Sequence, residues 1–237
     1  MASRLTGLRP EWAEPGVPLV LVNGEDERET LEALRNAGLA HEPMGAYRGF
    51  AWHRLPRALC CVAGVGPPNV ELAVVDAAAA GVRRILRLGS CGALAPDLGP
   101  GHVLVAREGV AFHDGVASVG ADADEVRTPA DAGLAEALDD ARAMAEVAGR
   151  PGVVMGTPFF HEPPAGRRGD RYRALCASGE IDALDMETGT LFWLASHLGL
   201  QAASVVGVAN RVGDPLLDGP RALAPAAVVV ARWLAKA

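Results

Sequence analysis

The chain has 237 residues, half of them hydrophobic and 22% charged, with a formal net charge of -7. That apolar content excludes a disordered chain. The diffuse acidic balance argues against nucleic acid and anionic membrane as main partners, because both select clustered Lys and Arg.

In chain order, Pro18 to Val22 reads as a buried strand ending at Asn23-Gly24, and Glu27 to Ala37 as an amphipathic helix. Ala58 to Ala63 is a second strand, running into Gly64-Val65-Gly66-Pro67-Pro68. A Pro pair suits a first helical turn, so Val70 to Ala80 follows as a helix. Arg84 to Leu88 is a strand that stops at Gly89-Ser90-Cys91-Gly92, and His102 to Ala106 is another. Gly115 to Thr128 reads as a surface excursion and Ala130 to Ala148 as a helix. Gly152 to Met155 is a short strand, and Pro158 to Asp170 a Pro-, Gly- and Arg-rich loop. Met186 to Leu198 is a helix, Ala202 to Val208 a strand, and Ala222 to Ala235 a closing helix. Strand–helix alternation predicts an α/β fold, read as one domain over residues 1–237, with ligands gathered at strand ends.

Cys60, Cys61, Cys91 and Cys176 form no CxxC pair and read as reduced thiols. The first sixteen residues hold no signal-peptide run, and no apolar stretch reaches membrane-spanning length. The expectation is a cytoplasmic protein without a membrane partner. His41, His53, His102, His113 and His197 have no metal-ligand spacing, so no metal is expected. His161, in the 158–170 loop, is a candidate substrate contact.

Four segments carry chemistry. In Arg87-Leu88-Gly89-Ser90-Cys91-Gly92, a strand arginine precedes a glycine turn with a hydroxyl. Such a turn can present a guanidinium, a hydroxyl and N–H groups to one oxyanion. A structural arginine bonding a carboxylate fits the residues equally well. In Asn23-Gly24-Glu25-Asp26-Glu27-Arg28, Gly24 can bring N–H groups close to an anion at a helix start, while Arg28 also suits a solvated surface. In Leu184-Asp185-Met186-Glu187-Thr188, Glu187 can accept two hydroxyl hydrogen bonds, as from ribose, over an apolar Met186. The alternative is Asp185 as an N-cap followed by an ordinary acid. Val208-Ala209-Asn210-Arg211 offers a donor, an acceptor and a guanidinium fork, or a simple turn.

Taken in order, these segments resemble the nucleoside phosphorylase superfamily, and within it the uridine phosphorylase branch. Gly24 to Arg28, Tyr47-Arg48-Gly49-Phe50 and Gly64 to Pro67 match first. Ile85 to Ala93, Gly101 to Val105, Asp185 to Thr188 and Gly207 to Arg211 complete the set. The resemblance implies a twisted mixed sheet flanked by helices, and phosphorolysis of a nucleoside to ribose 1-phosphate and free base. Inorganic phosphate is the co-substrate, with no cofactor. Gly24, Arg28, Arg87 and Ser90 would hold phosphate, joined by Arg48 from a neighbouring subunit of a dimer-based oligomer, up to a hexamer. Met186 and Glu187 would hold ribose, Phe159 would face the base, and Arg211 would lie near its carbonyl edge.

Many bacterial purine-specific relatives carry an Asp at the position of Asn210, to protonate the purine N7. Asn cannot supply that proton, which points to a pyrimidine. A purine-directed or hydrolytic relative, or a non-catalytic nucleoside binder, are the alternatives. The chain also departs from the family. A substrate histidine near the N-terminus falls at Leu5 or Thr6, and Gly49 replaces an acid after Arg48. The residues that read uracil have no clean match among Arg167, Arg168 and Arg171. The segment from Tyr172 to Asp185 is short.

Overall fold

The computed structural model describes residues 5–214 and 219–236. The centre is β1 (Leu19–Asn23), five buried residues in a row. A strand covered on both faces has no need to alternate polar and apolar residues. Leu19 and Leu21 join one hydrophobic cluster, and Val20 and Val22 the other. β1 pairs in parallel with β4 (Ala58–Ala63) on one side and β5 (Arg84–Ala93) on the other. Beyond β4, β3 (Phe50–Leu55) and β2 (Glu42–Tyr47) add antiparallel.

On the other side the sheet closes on itself. β5 pairs in parallel with β10 (Gln201–Arg211), and β10 runs antiparallel to β6 (Val103–Phe112). β6 is parallel to β8 (Gly149–Gly156), β8 to β9 (Ala183–Asp185), and β9 returns antiparallel to β5. β7 (Glu125–Pro129) lies on β6. Helices α2 (Pro67–Ala79) and α6 (Thr188–Leu198) pack on one face. The other carries α1 (Glu27–Asn36), α4 (Ala132–Met144) and α7 (Gly219–Lys236). α3 (Ala117–Gly120) is a single turn, and α5 (Arg167–Ala177) follows β8. Among the described residues no helix is long and apolar enough to cross a membrane.

The expected mixed sheet between helices is present, with local corrections. β5 does not stop at Leu88. It runs on because Ser90 and Cys91 pair with Gly207 and Val208 of β10, and Gly92 and Ala93 with Leu184 and Ala183 of β9. The 115–128 excursion holds α3 and the start of β7, and the 158–170 loop gives way to α5 at Arg167. α6 starts at Thr188 rather than Met186, because Asp185 receives the Thr188 N–H. The β2–β3 hairpin was not expected from the sequence. Its tip, Arg48-Gly49, has φ of 50° and 82°, the backbone of a two-residue hairpin turn that needs positive φ twice. A glycine at the second of these positions avoids the steric penalty a side chain would bring.

Candidate active site

Four segments meet at one end of the sheet: the β1–α1 loop, the start of α2, the middle of β5 and the β9–α6 junction. Arg87 of β5 lies among them, 1% exposed. A buried guanidinium requires partners. Its Nη2 donates to Glu187 Oε2 at 2.6 Å, and its Nη1 lies 3.0 Å from Asp185 Oδ2. The second contact is an ion pair without hydrogen-bond alignment, and Nε has no partner among the described residues. The guanidinium therefore keeps donor capacity on two nitrogens. Burial pushes the Arg87 pKa down, but Asp185, Glu187 and Glu25 outweigh it and hold the value above the ordinary one. Arg87 is a permanent cation.

The glycine after it has a spatial purpose. A Cβ on Gly89 would stand 2.7 Å from Arg87 Nη2. Residues two apart on a strand share a face, so Gly89 leaves room for the guanidinium to fold over the strand. The expected glycine turn is instead a glycine clearing.

Glu187 is 3% exposed. Its Oε1 accepts from the Gly66 N–H at 2.7 Å, and its Oε2 from the Met186 N–H at 3.3 Å as well as from Arg87. Burial raises its pKa and Arg87 lowers it. With Asp185 adding to the first effect, the carboxyl sits above the ordinary value. Asp185 accepts from the Glu187 and Thr188 N–H groups and from the Thr188 hydroxyl. It orders the start of α6 and is also a counter-ion of Arg87, so the capping alternative describes part of its work. Across the site, the Ser90 N–H donates to Glu25 Oε1 at 2.8 Å.

The fold thus brings Gly24, Arg87, Ser90, Met186 and Glu187 to one place. A Cβ on Gly24 would lie 3.7 Å from Glu187 Oε1. The structural alternative for Arg87, bonding carboxylates, is realised in this geometry. Glu25 and the Gly66 N–H are participants that sequence reasoning gave no role, and it read Asp185 only as a cap and not as a partner of Arg87. Their contacts with this cluster join residues between 65 and 121 positions apart.

The remaining candidates make no hydrogen bond or ion pair with these residues. Arg28 is exposed in the first turn of α1, and its side chain has no bond to a described residue. Arg48 is exposed at the hairpin tip, with its guanidinium 5.3 Å from the centre of the Tyr47 ring. Phe159 is half-buried in the loop after β8. Asn210 uses both amide hydrogens, donating to the Arg211 and Asp214 carbonyls at 2.9 and 3.1 Å. Arg211 Nη2 donates to the Pro96 carbonyl at 2.6 Å.

Thr6, at one of the positions where a substrate histidine was sought, is buried. It donates both its N–H and its hydroxyl to Asp76. His161 is exposed and meets Phe160 edge-on at 5.3 Å. Arg167 and Arg171, in the first turns of α5, pair with Asp124 and Glu125 at 3.0 and 2.7 Å.

A model of the phosphorylase superfamily matches residues 22–232. The chain is 30% identical over 214 residues to a uridine phosphorylase of Salmonella typhimurium, covering 81% of this chain and 80% of the relative. It is 29% identical over 148 residues to a guanosine phosphorylase of Halorubrum lacusprofundi, covering 62% and 58%. The fold is similar to that of a purine nucleoside phosphorylase from Toxoplasma gondii in complex with immucillin-H. There the TM-score is 0.81 at 21% identity, covering 97% of this chain and 93% of the other.

Proposed function

The chain belongs to the phosphorylase superfamily, and on that premise we propose that it is a nucleoside phosphorylase acting on uridine-like pyrimidine nucleosides. Nucleoside and inorganic phosphate would give ribose 1-phosphate and free base, with no cofactor and with residues 1–237 acting as one domain in the cytoplasm. The observation that carries the reading is Arg87. It is a buried, permanent cation, bonded to the Glu187 carboxylate and with two nitrogens still able to donate. Hydrolysis by water has no need of such a cation. Capture by a phosphate does.

The roles follow from charge. Arg87, Ser90, Gly24 and Arg28 hold phosphate beneath the sugar, and Glu187 anchors the ribose hydroxyls over Met186. As the C–N bond breaks, positive charge develops on the sugar. A phosphate already in place stabilises that charge and then bonds to it. Within one chain, however, a single buried guanidinium faces three carboxylates, those of Glu25, Asp185 and Glu187. A dianion needs more cations than that. Arg28 supplies one. Arg48, exposed and without an acidic partner among the described residues, supplies another from the neighbouring subunit of a dimer, with a hexamer as an assembly of such dimers.

Asn210 supports the pyrimidine preference. Two backbone carbonyls can be satisfied only by its NH₂ group, which fixes the amide orientation and leaves Oδ1 as the free group. An acceptor there complements a ring N–H, as at N3 of uracil, and cannot donate to N7 of a purine. Phe159 packs on the base, and Arg211, released from Pro96, reaches its carbonyl edge. Base release from a panel of nucleosides, each with and without phosphate, tests the reading. Phosphate-dependent turnover led by uridine is expected. Phosphate-independent turnover, or a lead by inosine, contradicts it.

A further inference from the structure

Glu25 lies in the β1–α1 loop, between Gly24 and the α1 cap Asp26, which accepts from the Glu29 N–H. Its side chain is half-buried and crosses to β5, where Oε1 takes the Ser90 N–H at 2.8 Å. A carboxylate there is unexpected in a site that is to receive an oxyanion. An N–H aligned on one acceptor is not available to another, and two anions at one donor repel. Because Asp26 and not Glu25 caps α1, the Glu25 side chain can leave without disturbing the helix.

We propose that Glu25 is a built-in competitor for the oxyanion: its carboxylate holds the Ser90 N–H, and phosphate engages that N–H only as the carboxylate swings away. The inference rests on the phosphorylase reading and adds to it a regulating element, one that sets phosphate affinity below what the bare cradle would give. A doubly charged phosphate, meeting both Arg87 and the Ser90 N–H, is the stronger ligand and displaces the carboxylate at sufficient concentration. Sulfate, a similar tetrahedral anion, meets the same competitor. In this account Glu25 weakens both anions alike.

Two variants separate its parts. Glu25→Gln keeps an oxygen able to accept from Ser90 but removes the charge. Glu25→Ala removes both. Titration calorimetry of inorganic phosphate, and separately sulfate, into the full chain reads the effect directly, with thermal melting as the folding control. Glu25→Ala is expected to bind phosphate about tenfold more tightly, the size of one net hydrogen bond's contribution. Glu25→Gln is expected to fall between it and the wild type, and the phosphate KM for base release to fall in the same order. Phosphate affinity unchanged or weakened in Glu25→Ala overturns the proposal, while phosphate-dependent turnover by the wild type leaves the phosphorylase reading standing. No phosphate binding by any of the three proteins, with base release indifferent to phosphate, overturns both.

Discussion

Arg87 Nη2 and Glu187 Oε2 are 2.6 Å apart across 100 residues of sequence, and both side chains are almost wholly buried. Removing one member of such a pair leaves the other charged and without compensation, typically at a cost of about 3–5 kcal/mol. Arg87→Met is the severe case, because two carboxylates, Asp185 and Glu187, lose their cation. Urea denaturation should show a loss in that range. A loss below about 1 kcal/mol would mean the carboxylates find other partners.

Glu187 makes stability depend on pH. Its folded pKa is above the ordinary 4.5, burial being the main cause. The folded state then holds this proton more tightly than the unfolded state. The contribution is fully present below pH 4.5 and is lost as pH rises through the folded value. The stability of the wild type relative to Glu187→Gln should therefore fall as pH rises above 4.5, followed by denaturation at several pH values. A relative stability that rises with pH would contradict the assigned direction.

Arg48 has a backbone φ of 50°, which costs a non-glycine residue roughly 1 kcal/mol. Arg48→Gly should relieve that cost, raising thermal stability slightly while phosphate KM rises at least about tenfold. If Arg48 serves the neighbour's site, mixing Arg48→Gly with Glu187→Gln subunits restores about a quarter of the wild-type sites on random pairing. Activity that never exceeds the sum of the parents would place both residues in one subunit's site.

Cys60, Cys61 and Cys91, all buried, should be inert in the folded chain. Burial pushes the Cys60 thiol up to about 12, and Cys61 and Cys91 are raised by the same cause. At pH 8 the Cys60 thiolate is then about one part in 10⁴. Iodoacetamide followed by mass spectrometry should modify none of these three natively and all of them after unfolding. Native labelling of Cys91, beside Ser90, would show that β5 opens.

The central strands were legible in the sequence because β1, β4 and the first half of β5 are short apolar runs closed by glycine or proline. β2 was not. It is an edge strand with mostly exposed residues and a proline, so no periodicity marks it. The second half of β5 looked like a turn because Gly89 and Gly92 signal one. What holds it extended is pairing to β9 and β10, far along the chain. The site residues Gly24, Arg87, Ser90, Met186 and Glu187 could be picked out by motif order. That Glu187 and Asp185 flank Arg87, and that Glu25 holds Ser90, depends on distant contacts that no local pattern carries.

The central claim is that phosphate, not water, takes the sugar. Product identification by phosphorus NMR after incubation with uridine and inorganic phosphate tests it most directly. Ribose 1-phosphate should appear in step with uracil, and uracil release should cease when phosphate is withheld. Free ribose formed at an undiminished rate without phosphate would contradict the account.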